Sequence, residues 1–176
     1  MSTTPSRKWL DLTILGTSQF RLIDSRDNEL LRHWKNNFRG SFFTQKIITP
    51  LEQQWWFDVY EKDCNNSMLI WINEQEECGS LGVRNLKGVI DVYNVMSWGE
   101  RTKGTGKFSE AVKKMLDRLN EKFAQVPIQT SVLIENPAIQ WYQRLGFRRL
   151  ETRSHESGAE FFLMEYSEVP NKSTFS

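Results

Sequence analysis

The stretch VIDVYNVMSWGERTKGTGKF, residues 89–108, places an apolar strand, a glycine-rich turn and the start of a helix in direct succession. Residues 89–98 are rich in β-branched and aromatic side chains, which predicts a strand. Gly104 and Gly106 precede the run 108–124, whose apolar residues recur at helical spacing and predict an amphipathic helix. The backbone between strand and helix can therefore come close to a ligand.

The glycine-rich turn is a candidate anion-binding site. The unpaired N–H groups of a first helical turn and the helix dipole favour negative charge in front of the helix. Arg101, Lys103 and Lys107 add positive charge beside it. The segment lacks the GK[ST] ending of a Walker loop and the third glycine of a dinucleotide-binding loop. A plain glycine-rich turn with solvated lysines is the alternative on this segment alone.

The remaining elements follow from hydrophobic periodicity and capping signals. Before one helix, Thr49 can act as cap, Pro50 suits the first helical position and Glu52 completes a capping box. Before another, Asn136 is the expected cap, with Pro137 at the first position. Further strands are predicted at 68–72, 79–86, 128–134, 147–153 and 160–167, further helices at 28–38, 49–63 and 136–145, and a strand or hairpin-like element at 12–24.

This order of elements predicts an α/β fold, a mixed sheet of about seven strands flanked by about four helices. Most neighbouring strands are joined by short turns and are expected to be antiparallel. The strand–helix–strand section from 89 to 134 requires a crossover connection, which predicts one parallel pair.

The composition is that of one ordinary globular domain. The chain has 176 residues and a net charge of +1, which argues against a dedicated nucleic-acid partner. We expect a single domain at 12–167 between flexible ends at 1–11 and 168–176. Cys64 and Cys78 are too few for a disulfide scaffold or a metal site. No apolar run could span a bilayer, and a cytoplasmic location without membrane attachment is expected.

A second segment, NPAIQWYQRLGF at residues 136–147, follows the next predicted strand. The pattern R-x-x-G-x-G from Arg101 to Gly106, followed after a helix and a strand by N-x-A-x-x-x-Y-x-x-x-G-F, resembles the GNAT superfamily of N-acyltransferases. The resemblance extends over residues 12–167 and is strongest from 89 to 147. It implies a GNAT-like twisted sheet and an acetyl-CoA-dependent N-acetyltransferase, with no metal.

The resemblance also implies where acetyl-CoA binds as co-substrate. The loop before the central helix would hold the pyrophosphate, and the 89–98 strand would pair its backbone with the pantetheine arm. The 128–134 strand would splay away from it, leaving a gap for the thioester. The implied cofactor-binding residues are Met96, Trp98, Arg101, Lys103, Gly104, Thr105, Gly106, Lys107, Phe108 and Asn136.

The implied chemistry is direct attack of a neutral amine on the thioester in a ternary complex. Backbone N–H groups of the 89–98 strand would stabilise the oxyanion, and Tyr142 would protonate the leaving thiolate as general acid. A core tyrosine is the alternative role for Tyr142, and a helix cap is the alternative for Asn136. No base is assigned, although four residues are candidates: Asp91, Glu100, Glu135 and His33.

The acceptor is expected to bind over the first two helices, whose aromatic residues could wall a pocket for a sugar ring. Trp34, Asn36 and Trp55 are the predicted substrate-binding residues, with core packing as the alternative for Trp34. The Trp34–Asn36 stretch resembles that of GNAT enzymes acting on nucleotide-linked amino sugars, so a small amine acceptor is expected. A protein N-terminus or lysine as acceptor, and a non-catalytic CoA-binding module, are the alternatives. The expected assembly is a monomer or a homodimer.

Overall fold

The computed structural model describes residues 8–16, 18–99 and 103–167. Within these ranges seven strands form one sheet in the order β1-β2-β3-β4-β5-β7-β6. The strands are β1 (Phe20–Leu22), β2 (Asn66–Asn73), β3 (Glu76–Asn85), β4 (Ile90–Ser97), β5 (Ile128–Leu133), β6 (Phe147–Ser154) and β7 (Glu160–Tyr166). The helices are α1 (Asn28–Asn37), α2 (Pro50–Lys62), α3 (Lys107–Lys122) and α4 (Ile139–Leu145), with short 3-10 turns at Leu12–Leu15, Ser25–Asp27 and Arg39–Ser41. The α/β prediction is confirmed. None of the helices in the described ranges is long and apolar enough to cross a membrane.

Local capping sets the start of α2. The Thr49 hydroxyl accepts a hydrogen bond from the Glu52 N–H, and the Glu52 carboxylate accepts one from the Thr49 N–H at 2.9 Å. Pro50 occupies the first helical position, where its missing N–H costs nothing. The predicted capping box is therefore present.

Two predicted boundaries are wrong. Residues 12–24 do not form a strand throughout, because the Asp11 side chain caps a 3-10 turn at Leu12–Leu15 that ends at Gly16 with φ +59°. Helix α4 starts at Ile139, with Ala138 as its cap residue, two residues later than predicted.

Alternation along β2 explains how the sheet holds helices on both faces. Leu69 and Trp71 belong to a core with α3 and α4, whereas Met68 and Ile70 belong to a second core with α1 and α2. All four are buried, as expected for a strand whose successive side chains point to opposite faces. The central helix α3 thus lies on the face opposite α1 and α2.

The parallel pair β4–β5 is joined over only a short length. Its register includes Ile90 with Ile128 and Asp91 with Gln129, and no later pair. Strand β4 is irregular just beyond, where Asn94 has φ +47°. Strand β5 continues alongside β7 as far as Leu133. The two central strands therefore diverge, and the edge of β4 that faces the gap is available to a ligand.

Candidate functional site

The gap between β4 and β5 opens into two adjoining cavities. The first has about 430 Å³ and is bordered by β4, β5 and the segment 38–43; we call it the inner cavity. The second has about 890 Å³ and reaches the turn 103–106 before α3; we call it the loop cavity. Five residues line both cavities and mark the junction between them: Phe38, Val95, Ser97, Ala138 and Tyr142.

The loop cavity ends at the glycine-rich turn. Gly104 and Gly106 both have φ +75°, and a Cβ at either position would meet open space. Gly106 caps α3 without any side-chain hydrogen bond, so the N–H groups of the first turn have no partner within the helix. Lys103 also lines this cavity. Positive charge, a helix N-terminus and accessible backbone together fit a phosphate-bearing ligand.

Three other predicted residues of this turn have different positions. Arg101 lies outside the described residues. Neither Thr105 nor Lys107 lines the loop cavity: the Thr105 hydroxyl accepts from the Lys107 N–H, and the Lys107 ammonium pairs with Glu74 at 2.7 Å. The structure directs the Lys107 ammonium to the turn between β2 and β3, and its contact with the cofactor stays a prediction.

The apolar wall of the loop cavity is an aromatic stack. Phe108 is buried and lies between Trp71, at 5.1 Å between ring centroids, and Trp141, at 5.9 Å. Trp141 donates to the Ser109 hydroxyl at 2.8 Å. Trp141 and Arg144, three residues apart on α4, both line the cavity. The sequence analysis missed this pair, although the helical spacing three residues apart was the available signal.

Tyr142 lies at the junction, where a group from either cavity can reach it. Its ring packs edge-on against Trp141 and Phe147, with centroids 5.0 and 5.8 Å away. Its hydroxyl makes a hydrogen-bond contact with Thr130 of β5, and burial raises the pKa of the phenol well above its ordinary value. Tyr142 therefore stays protonated across the physiological range, but a raised pKa also makes it a weaker acid, so its position at the junction, not its pKa, is what favours a proton-donor role.

Two residues predicted to contact the cofactor, one in β4 and one directly after it, line different cavities. Met96 is buried and lines the inner cavity. Trp98 lines the loop cavity and stacks on Trp34 with centroids 6.2 Å apart. The Trp98 N–H donates to the Cys78 carbonyl at 2.7 Å, so this backbone group is used within the protein.

Asn136 combines a structural role with a place in the cavity wall. Its side-chain oxygen accepts from the Ala138 N–H at 2.8 Å, and its amide nitrogen donates to the Ser41 carbonyl at 3.3 Å. It also lines the inner cavity. It orders the turn before α4 without being the residue that caps the helix.

Two of the three predicted substrate-binding residues are structural. Trp34 is fully buried and lines none of the cavities described here, so it is a core residue. The Asn36 side chain donates to the Ile48 carbonyl at 3.0 Å and accepts from the Ile48 N–H at 2.8 Å. Because both ends of its amide are used, Asn36 tethers a loop instead of contacting a substrate.

Trp55 is 70% exposed and borders a third cavity of about 280 Å³, which we call the outer cavity. Asn94 and Met96 line both the inner and the outer cavity. The two cavities are therefore neighbours, on the side of the junction away from the glycine-rich turn.

The polar floor of the inner cavity is an ion pair that the sequence analysis did not predict. Arg84 and Asp91, opposite each other on β3 and β4, approach to 2.5 Å. Arg84 also lies over the Tyr93 ring, 4.1 Å from its centroid. The Asp91 carboxylate is therefore engaged by Arg84, and we do not assign it as the general base.

The other base candidates have no place at the junction. Glu135 and His33 are exposed and line none of the cavities described, and Glu100 lies outside the described residues. Among the residues that the structure describes, no cluster of His, Cys, Asp or Glu could hold a metal ion.

Solved structures with the same architecture include those of acetyltransferases. The chain matches the spermidine N-acetyltransferase from Vibrio cholerae in complex with CoA and spermine at a TM-score of 0.70 and 16% identity, covering 85% of this chain and 95% of that one. It matches the aminoglycoside acetyltransferase AAC(6')-Ib in complex with coenzyme A at 0.68 and 18%, covering 84% and 94%. It matches an acetyltransferase of the GNAT family from Streptococcus pneumoniae at 0.60 and 14%, covering 84% and 98%.

Sequence comparison adds no relative, since no family model and no curated protein matches the chain. The structural matches extend along nearly the whole length of each solved chain despite low identity. The diverging β4–β5 pair with its glycine-rich turn and α3 thus belongs to a known architecture, and the chain has the fold of the GNAT acetyltransferases.

Proposed function

We propose that the protein is an acetyl-CoA-dependent N-acetyltransferase that acetylates a primary amine of a small molecule in a ternary complex. The observation that supports this most is the junction, where a cavity leading from an anion-binding turn meets a second cavity beside Tyr142. The similar solved proteins include acetyltransferases with bound CoA. Their fold agrees with this assignment.

The chain's own residues fit acetyl-CoA. Gly104, Gly106 and Lys103 would hold the diphosphate in front of α3, where the backbone is open and uncapped. The free edge of β4 beyond Asp91 would bond the amide groups of the pantetheine arm, because no ladder occupies it there. The loop cavity of about 890 Å³ gives this arm its path to the junction.

Bound acetyl-CoA supplies an activated thioester, and attack by a neutral amine forms the C–N bond as the C–S bond breaks. Tyr142, at the junction of the two cavities, supplies the proton that the departing thiolate takes up, and its phenolate then regains a proton from solvent. The proton of the amine passes to solvent. No base is assigned, since Asp91 is paired with Arg84.

The inner cavity is the proposed acceptor site. Its volume of about 430 Å³ is that of a small-molecule pocket, whereas a peptide acceptor needs a long groove with backbone partners. Phe42 and Phe43 line it and supply the aromatic surface that had been expected from Trp34. An amino sugar, free or nucleotide-linked, is the first acceptor class to test. A protein amine and a non-catalytic CoA-binding role are the alternatives.

The test of the cofactor site is a double substitution in the glycine-rich turn. Gly104→Glu with Gly106→Glu places side chains and negative charge where phosphate would bind. We expect the rise in Tm that acetyl-CoA gives to the wild type by mass action to disappear, together with thiol release in the presence of an amine panel.

Gly158→Glu is the matched control. Gly158 also has a positive φ, +83°, and open space at the Cβ position, but it lies in the β6–β7 turn. Its substitution imposes similar backbone strain and adds negative charge. The rise in Tm on adding acetyl-CoA should remain as in the wild type. A full thermal shift in the double variant would contradict the proposed site. Cofactor binding without thiol release from any amine would support the non-catalytic alternative.

A further inference from the structure

Among the residues that the structure describes, one cation lining the inner and outer cavities has no counter-ion. Arg84 is paired with Asp91, and Lys46 is paired with Glu52 at 2.6 Å. These two carboxylates are the only acidic residues in the described linings of the two cavities. Lys35, the third cation, forms no ion pair or hydrogen bond with the described residues.

Lys35 lies where the two cavities adjoin. It projects from α1, is half-buried and lines the outer cavity. Its ammonium is 5.5 Å from the centroid of the Phe42 ring, which lines the inner cavity. Met96 borders both cavities. A ligand whose amine reaches the junction past Met96 can therefore place its other end near Lys35.

The surroundings of Lys35 favour an anion. Burial lowers the pKa of its ammonium, and the positive charge of Arg84 lowers it further. Removing a charge from water without a partner is unfavourable, so an anionic ligand group at this point replaces lost solvation and forms a charge-assisted hydrogen bond. A second cation at the same place is disfavoured by repulsion.

We infer that the acceptor is a primary amine that also carries an anionic group, a carboxylate or a phosphate, and that this group binds at Lys35. The inference rests on the proposed function and narrows it to a substrate class. It sets this chain apart from its structural neighbour in complex with spermine, because a polyamine has no anionic group for Lys35. A nucleotide-linked amino sugar, with its diphosphate, falls within the class.

The experiment compares matched acceptors that differ in the anionic group. Glucosamine 6-phosphate with glucosamine forms the phosphate arm, 4-aminobutyrate with butylamine forms the carboxylate arm, and spermine is the cationic reference. Calorimetry on the CoA-loaded protein measures binding, and thiol release from acetyl-CoA measures kcat/KM. Because CoA already occupies its own site, its phosphates do not compete.

In at least one arm we expect the member with the anionic group to bind roughly 10- to 100-fold more tightly than its partner without that group, the usual range for a hydrogen bond to a charged group. Lys35→Met keeps the length of the side chain and should remove the preference. Lys35→Arg should retain most of it. Lys114→Met, at an exposed lysine of α3 that is paired with Glu110 and lines none of the three cavities, should leave it unchanged, and CoA affinity should be equal in all variants.

Two results would overturn the inference: no preference for the anionic member in either arm, or a preference that survives Lys35→Met in a folded protein. The arm that shows the preference identifies carboxylate or phosphate as the group bound. Lys35-dependent binding without thiol release would uphold the anion site and count against the proposed catalysis. Acetyl transfer with a preference for spermine would support the proposed catalysis and count against the anion site.

Discussion

Replacing Tyr142 by phenylalanine tests the proposed chemistry most directly. The ring contacts of Tyr142 with Trp141 and Phe147 do not involve the hydroxyl, so the variant keeps its packing. It loses the contact with Thr130, worth about 1 kcal/mol of folding free energy. Loss of a general acid should slow the chemical step by about 100- to 10,000-fold, which is roughly 3 to 5 kcal/mol in the barrier.

A second buried tyrosine provides the matched control. Tyr166 is 5% exposed, and its hydroxyl donates to Asp117 at 2.5 Å and accepts from Lys113 at 2.7 Å. Both partners lie on α3, and none of the three residues lines a cavity described here. Tyr166→Phe should therefore cost at least as much stability as Tyr142→Phe and leave the rate unchanged.

The assay is thiol release in a single turnover, with acetyl-CoA and amine saturating, followed from pH 6 to pH 10. An acid catalyst works below its pKa and fails as the pH rises through that pKa. Because burial raises the pKa of Tyr142, the wild type should show no loss from phenol ionisation in this range. A Tyr142→Phe variant that binds the cofactor and reacts at the wild-type rate would refute the acid role.

Two further predictions concern the acceptor side. Asn36→Ala removes both hydrogen bonds to Ile48. Urea unfolding should show a free energy of unfolding lower by about 1–3 kcal/mol. The acceptor KM should rise, and the affinity for acetyl-CoA should not change. Tyr93 donates to Asn66 at 2.6 Å, and burial raises its pKa to about 12. Since an unfolded tyrosine ionises near pH ~10, the folded state alone keeps this proton between about pH 10 and 12, and stability falls as the pH rises through that window. Tyr93→Phe should show a shallower loss of stability between pH 9 and pH 11.5, whereas parallel curves would contradict the assignment.

The segments that could be predicted from sequence are those fixed by local chemistry. The capping box of Thr49 and Glu52 satisfies two backbone donors within four residues, so no distant contact is needed to place α2. Gly104 and Gly106 have the left-handed φ that their residue type allows. The start of α4 was misplaced because Asn136 bonds the Ala138 N–H in a preceding turn, which resembles a cap in sequence.

The acceptor side could not be predicted because tertiary packing decides it. Trp34 and Lys35 are neighbours on α1, yet Trp34 is completely buried in the core and Lys35 borders a cavity. Their sequence context shows an amphipathic helix, but the width of its buried face depends on how α1 lies across the sheet. Among the described residues, the lack of a counter-ion for Lys35 depends on Asp91 being paired with Arg84 across β3 and β4, which no local pattern encodes.

The proposed cofactor site is formed mainly by backbone groups, whereas the proposed acceptor site is formed by side chains. In the proposed function the cofactor half uses the backbone of β4 and of the turn at Gly104 and Gly106, so many sequences could form it. This explains how the architecture persists at 14–18% identity to solved acetyltransferases. The proposed acceptor site is lined by side chains of β3, β4, β5 and the segment 38–43, and Lys35 of α1 borders the adjoining outer cavity. The amine must therefore be inferred from the charges there, where Lys35 is the cation that the described lining residues leave unmatched.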